Sequence, residues 1–365
     1  MKSSKLFLMV CVTALTACQH DLDILPEEEA PVAISLNTVV GDAVAETRFA
    51  SSEDKNTNLY LQNNQFLPAS TATVGGVSLT PVTGNSIAVY IEDQGTGTPK
   101  TTYTKALKYT PDGNGGLSVP NTETQYYPSN NGGVGIYAYY PGQSTDLVPA
   151  AAADVRDRNT DLIAFSVQED QTTLDNYAKS DLMYAKLDPQ PRTKDAVTLT
   201  FNHLLTKITL VIKSDGHFQT DHLKDADVTI ENTKLKANFN FKDGEIKISS
   251  TGNYTYNSTD NTAKPITILK DLVQATVDSS TGQTGSCIIV PQKVAAGAEF
   301  IKVKLTNGGT YIFKAPTGGY TFEPKKEYKF TVTLTNTEIK LVSEIIEWGT
   351  GATYTDPKAM MPAQE

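Results

Sequence analysis

The chain has 365 residues, of which 39% are hydrophobic, 20% charged and 8% aromatic. That is the composition of a folded globular protein and excludes a disordered or collagen-like chain, while a mass of 39.5 kDa points to two domains of roughly 150 residues each. Lys plus Arg number 31 against 41 Asp plus Glu, a net charge of -10; this repels polyanions, and with no nucleic-acid-binding motif present a nucleic-acid partner is not expected.

In chain order, Lys2 and Lys5 precede an apolar run over 6–12, and Leu15-Thr16-Ala17-Cys18 follows. A basic start, a short apolar stretch and small residues before a cleavage point make a secretory signal, too short to span a bilayer. Residues 1–17 are therefore set outside the fold. Leu15-Thr16-Ala17-Cys18 resembles the lipobox of bacterial lipoproteins, which makes Cys18 the candidate lipidation site and the outer membrane the expected anchor of the precursor. The alternative is an ordinary signal peptide with a chance cysteine. Asp21, Asp23, Glu27, Glu28 and Glu29 then form an acidic tether. Of the other cysteines, Cys11 lies in the signal and Cys287 has no expected intrachain partner, so the fold stands without disulfides.

Pro31 to Thr47 reads as a strand, with Val32, Ile34, Leu36 and Val40 on one parity as a half-buried strand requires. Arg48 follows directly, one of four arginines with Arg156, Arg158 and Arg192. Cleavage after Arg48 would remove that strand and leave an unpaired edge beside an empty apolar groove, a template for another chain. The plainer alternative is an uncleaved, ordinary first strand. Residues 18–48 are thus read as a tether and a removable first strand.

Beyond it, short alternating apolar runs separated by Gly, Asn, Asp and Pro predict β-structure almost throughout. They are 86–91, 135–140, 162–167, 197–212, 227–230, 245–248, 266–269, 287–290, 300–305, 311–313 and 328–334. No comparable amphipathic helix is expected. Asp243-Gly244 predicts a two-residue hairpin turn and Asn307-Gly308, beside Gly309, a slightly longer one. Many short strands with such turns argue a sandwich rather than a parallel sheet. The Pro-rich segment Asp188-Pro189-Gln190-Pro191-Arg192 is the best boundary, giving an N-terminal domain over 49–192 and a C-terminal domain over 193–365.

No catalytic, phosphate-binding or cofactor motif is present: there is no G-x-S-x-G, H-E-x-x-H, Walker-type loop or C-x-x-C. Neither an enzyme nor a cofactor is expected. Asp215, His217, Asp221 and His222 could by residue type hold a metal, but their spacing matches no standard site and they read as a polar loop. His203 reads as a strand or boundary residue, not a general base. Exposed aromatic platforms would favour glycan recognition, but Trp348 lies in a terminal apolar run, and Tyr137 and Tyr139 sit at alternating strand positions that packing explains.

Several segments together resemble the fimbrillins, the lipoprotein-derived pilins of type V fimbriae in anaerobic Gram-negative bacteria. They are the lipobox ending at Cys18, the strand followed by Arg48, Tyr137-Ala138-Tyr139-Tyr140-Pro141, 180–185 (Ser-Asp-Leu-Met-Tyr-Ala), 201–208 (Phe-Asn-His-Leu-Leu-Thr-Lys-Ile) and Ile345-Ile346-Glu347-Trp348. The resemblance implies an all-β chain of two transthyretin-like β-sandwich domains in tandem. It further implies cleavage by an arginine-specific protease, with Arg48 matching the processing site, and polymerisation by strand exchange with other fimbrial subunits, serving adhesion from a fimbrium at the cell surface. The competing function is a surface lipoprotein that binds glycan without polymerising. In Asn336 to Trp348, the face carrying Ile339, Leu341 and Ile345, broken by Ser343, is the candidate donor strand. The alternative is that this segment is the last strand of its own domain, with a shorter piece after Gly349 as donor.

Overall fold

The computed structural model describes most residues of 30–40, 86–142, 162–215, 223–246, 262–270, 283–335 and 339–347, together with short strands within 61–79 and at 353–354. The chain supplies β1 (Leu36–Val40), β2 (Leu61–Gln62), β3 (Gln65–Phe66), β4 (Ala72–Val74), β5 (Val77–Leu79), β6 (Ile87–Asp93), β7 (Leu107–Pro111), β8 (Gly116–Ser118), β9 (Val134–Tyr140) and β10 (Leu162–Ser166). The helix α1 (Leu174–Lys179), β11 (Met183–Gln190), β12 (Val197–His203), β13 (Thr206–Ser214), β14 (Asp227–Thr233), β15 (Lys236–Asn240), β16 (Glu245–Ile246), β17 (Lys264–Thr267) and β18 (Leu269–Lys270) come next. The last strands are β19 (Gln283–Ile289), β20 (Gln292–Val294), β21 (Glu299–Lys304), β22 (Thr310–Lys314), β23 (Tyr320–Phe322), β24 (Lys326–Leu334), β25 (Ile339–Glu347) and β26 (Thr353–Tyr354).

The fold is all-β, as its alternation predicts. Seven strands form a closed sheet in the order β1-β12-β11-β9-β6-β7-β8, and the larger open sheets run β18-β19-β13-β24-β25-β26 and β17-β14-β21-β22. Among the described strands pairing is antiparallel except for β1 with β12 and β13 with β24, which run parallel. The helix α1 is a short one of six residues. Thr173 caps it by accepting from the Asn176 amide at 3.2 Å, the usual role of an N-terminal hydroxyl.

Two local expectations need correction. The run over 197–212 is not one strand: β12 buries alternate residues, Val197, Leu199, Phe201 and His203, whereas β13 is buried at nearly every position. Between them Leu204 donates its amide to the Leu182 carbonyl (2.9 Å), and the Leu205 carbonyl accepts from the Lys325 amide (2.8 Å). The chain steps there from the closed sheet into the six-stranded one. The Asp243-Gly244 turn is longer than two residues, since Asn240 pairs with Glu245 and Phe241 leaves the strand. Its ring packs edge-on to Tyr90, Tyr139 and Tyr184, a geometry favoured by the ring quadrupole. Gly244 has φ +68, and a Cβ there would lie 2.0 Å from the Tyr184 ring, so both conformation and space require glycine. These rings, with buried Phe239 and Tyr137, form the core against which the β15–β16 hairpin lies.

Candidate functional site

The first strand lies inside the closed sheet, bonded along both of its edges. On one side β1 runs parallel to β12, with Leu36 opposite Val197, Thr38 opposite Leu199 and Val40 opposite Phe201, and the Val197 amide donates to the Ser35 carbonyl at 2.9 Å. On the other side it pairs antiparallel with β8 at Leu36–Leu117 and Asn37–Gly116. Ahead of β1, the Ile34 amide donates to the Gln125 carbonyl (2.8 Å) and the Tyr127 amide to the Val32 carbonyl (2.9 Å), with Ala33 bridged to Tyr126. Residues 32–40 therefore occupy a slot whose walls are β12 on one side and 125–127 followed by β8 on the other.

Ile34 and Leu36 are buried at 6% and 2% exposure, and Val32 packs half-buried against the core. Val40 continues β1 on the same parity. One buried residue of this parity was missed: Thr38, two residues after Leu36, is at 3% exposure. Its amide and its Oγ1 both donate to the Gly115 carbonyl, at 2.6 and 3.3 Å. The parity rule alone would have found it had hydroxyls been admitted to the inward row. Nearby, burial raises the pKa of Tyr103, whose hydroxyl donates to the Tyr126 carbonyl at 2.8 Å, and pushes that of Tyr109 up to about 12. These phenols stay neutral and act as packing groups.

Two of the sequence segments singled out above meet in space. Asp181, fully buried, lies with its carboxylate oxygens 2.9 and 3.0 Å from His203 Nδ1, while Met183 and Tyr184 pair with His203 and Asn202. His203 is thus a boundary residue at the end of β12, tied to the turn after α1. Burial of each member is tolerable because the other satisfies it.

A family model described as fimbrillin-like matches residues 80–348. The chain belongs to the fimbrillin-like family. That is a family of fimbrial structural and adhesion subunits, not of enzymes. Over 276 residues the chain is 25% identical to Fim1C of Bacteroides uniformis, named as a candidate fimbrium subunit, covering 73% of this chain and 78% of that one. Its fold is similar to crystal structures of candidate cell adhesion proteins from Bacteroides ovatus (TM-score 0.59) and Bacteroides uniformis (TM-score 0.54). Each is 20% identical, and each match covers 87% of this chain and 98% of the other.

In this fimbrillin-like chain Cys18, Arg48 and Trp348 lie outside the described residues, as do His217, Asp221 and His222; Asp215 follows β13, its amide donating to the Leu334 carbonyl at 3.1 Å. Tyr137 and Tyr139 are fully buried, and among the described residues the exposed large hydrophobics are Tyr126 and Ile312. The segment with Ile339, Leu341 and Ile345 is β25, paired antiparallel with β24 along all nine residues from Leu334–Ile339 to Lys326–Glu347. In this state it is a strand of the chain's own six-stranded sheet, and Ile345 packs half-buried on the core.

Proposed function

We propose that this chain is a fimbrial subunit, exported as a lipoprotein through Cys18, cleaved after Arg48 by an arginine-specific protease at the cell surface, and polymerised by strand exchange with other subunits to serve adhesion. The observation that carries this reading is the place of residues 32–40. They are hydrogen-bonded on both edges within a closed sheet, yet they precede in sequence everything they pair with. One cut after Arg48 would detach them covalently without interrupting any other described strand. Their loss would expose the backbone edges of β12 and β8 together with the sites of Ile34 and Leu36, each side chain worth about 1.5–3 kcal/mol of burial. An edge with unpaired N–H and C=O groups over an apolar trough is what an extended segment of another chain completes.

The division into domains over 49–192 and 193–365 belongs to the same proposal. It is supported by the change of sheet membership at Leu204-Leu205, though β12 itself stays with the closed sheet.

The test is the Arg48→Ala chain beside the unaltered one, both treated with an arginine-specific protease. The unaltered chain is expected to give ladders and filaments, and the variant to stay monomeric because its slot remains filled. Filaments of normal length from the variant would overturn the mechanism. Cys18→Ala is expected to abolish membrane retention and surface assembly, read by fractionation and electron microscopy.

A further inference from the structure

Beyond the end of β10 the chain is pinned along its length. The Val167 amide donates to the Leu235 carbonyl (3.0 Å), which carries the β10–β15 pairing past Ser166–Lys236. The chain then crosses to β17, where the Thr267 amide donates to the Glu169 carbonyl (2.8 Å) and the Gln171 amide to the Thr267 carbonyl (3.0 Å). Gln171 is fully buried, and its side-chain amide bonds both ways with Ile288, accepting from the backbone amide at 2.8 Å and donating to the carbonyl at 2.7 Å. The Gln168 amide donates to Ser180 Oγ (2.9 Å), and that hydroxyl donates to the Asn176 carbonyl (2.9 Å). Residues 167–171 are thus fixed to β15, to β17 and to the turn after α1. Together with these elements they border an open cleft of about 380 Å³, at the low end of the size range of ligand sites.

The chemistry of the lining narrows what fits there. Val167 and Leu235, both nearly buried, supply its apolar part. Two carboxylates, Glu169 and Asp170, stand against two ammonium groups, Lys236 and Lys264, so the cleft carries no net charge. Glu169 is ion-paired with Lys264. Asp170 accepts from the Thr172 hydroxyl (2.6 Å) and amide (2.9 Å), and these bonds hold its carboxyl below the usual range, so it stays a charged acceptor. Gln168 and Asn176 hydrogen-bond through their backbone atoms, which leaves both side-chain amides for a ligand, and each such amide can donate and accept at once. A charge-balanced cleft exerts no long-range pull on a polyanion or a polycation. Mixed donors and acceptors about a small apolar base match a neutral molecule with a rim of hydroxyls and a C–H face, which is the chemistry of a sugar ring.

We propose that this cleft binds one uncharged sugar residue of a surface glycan, held through the side-chain amides of Gln168 and Asn176 and the carboxylates of Glu169 and Asp170. This rests on the adhesive part of the proposed function and names the chemistry of what is adhered to. Repeated along a filament, a weak site of this kind gains avidity without any new contact.

The test uses the full-length, uncleaved chain, so that binding does not depend on assembly. The probes are the methyl glycosides of glucose, galactose, mannose and N-acetylglucosamine, with glucuronate and glucosamine as anionic and cationic counterparts, followed by saturation-transfer NMR and titration. At least one neutral glycoside is expected to bind. Gln168→Ala and Asn176→Ala are each expected to weaken that binding about fivefold, the loss of one hydrogen bond, with thermal melting unchanged because the backbone bonds of both residues remain. Binding of the charged sugars alone overturns the inference, as does neutral binding that neither variant weakens, or no binding at all. Adhesion is read separately, as attachment of parent filaments to a cell layer. Attachment without sugar binding overturns the cleft and leaves the adhesive role standing, whereas sugar binding by a chain whose filaments do not attach overturns that role and leaves the cleft as a sugar site.

Discussion

Among the described strands two pairs run parallel, β1 with β12 and β13 with β24, and β1 and β13 differ in burial and in the extent of their pairing. β13 is buried at nearly every position, joined to β24 over nine residues and to β19 over seven. Lys207 and Glu327, opposite each other in that register, form an ion pair at 3.3 Å, and Thr209 Oγ1 donates to the same carboxylate at 2.7 Å. β1 alternates buried and partly exposed residues, pairs with β12 over five residues and with β8 over two. A parallel partner must come from far along the chain, because the connection between such strands is long. For β13 both connections run into further paired strands. For β1 every strand it pairs with lies later in the chain, so on the proposed reading its attachment to them depends on the one connection that follows it. Similar backbone geometry thus serves a strand held at the centre of one sheet and, in the other, a closing strand that we propose is detachable.

The comparison breaks most sharply through paired truncations. Leu210→Ala in β13 is expected to cost about 2–5 kcal/mol in precursor and cleaved product alike, because the cavity opens in a core that persists. Denaturant midpoints of the two forms should fall together. Leu36→Ala is expected to cost about 2 kcal/mol, the lower end of the same range, in the uncleaved chain only. After the cut and loss of the segment, the variant and the parent are the same molecule. An equal shift in both forms would mean that β1 stays bound after cleavage.

The region between the two parallel pairings sharpens the contrast. Asp181 and His203 stand where β12 hands over to β13, so Asp181→Ala, which leaves the buried imidazole without its partner, is expected to cost about 1–3 kcal/mol. Amide exchange should rise in β12 and β13 together. If only β12 loosens, the two sheets are energetically separate at Leu204-Leu205.

Much of this architecture was legible because alternation is a local signal. β6, β9, β10, β21, β22 and β24 fall where their apolar runs place them, and the inward row of Ile34 and Leu36 is visible from parity alone. What was not legible depends on distant partners. Nothing near Leu204-Leu205 announces a change of sheet, since both leucines continue an apolar run. The turn after Asn240 lengthens because Phe241 is claimed by rings from β6, β9 and β11. The bonds from 125–127 to 32–34 join a segment without strand character to the start of the chain. The pairing of Asp181 with His203 likewise needed the turn after α1 to be brought beside the end of β12.

The smallest expected effect tests the most specific feature of the slot. Thr38→Val keeps the side-chain shape and removes only the hydroxyl. The Gly115 carbonyl retains the Thr38 amide as donor at 2.6 Å, so no buried acceptor is orphaned and the cost is that of one net hydrogen bond, about 0.5–1 kcal/mol. The uncleaved chain should therefore unfold at a slightly lower denaturant concentration and release its first strand sooner once cut, followed by mass spectrometry of the freed segment. The cleaved product should be unchanged, because residue 38 has left with that segment. A faster release with an unaltered product is the behaviour of a closing strand held by its slot. An altered product would place β1 with β13, among the strands that remain.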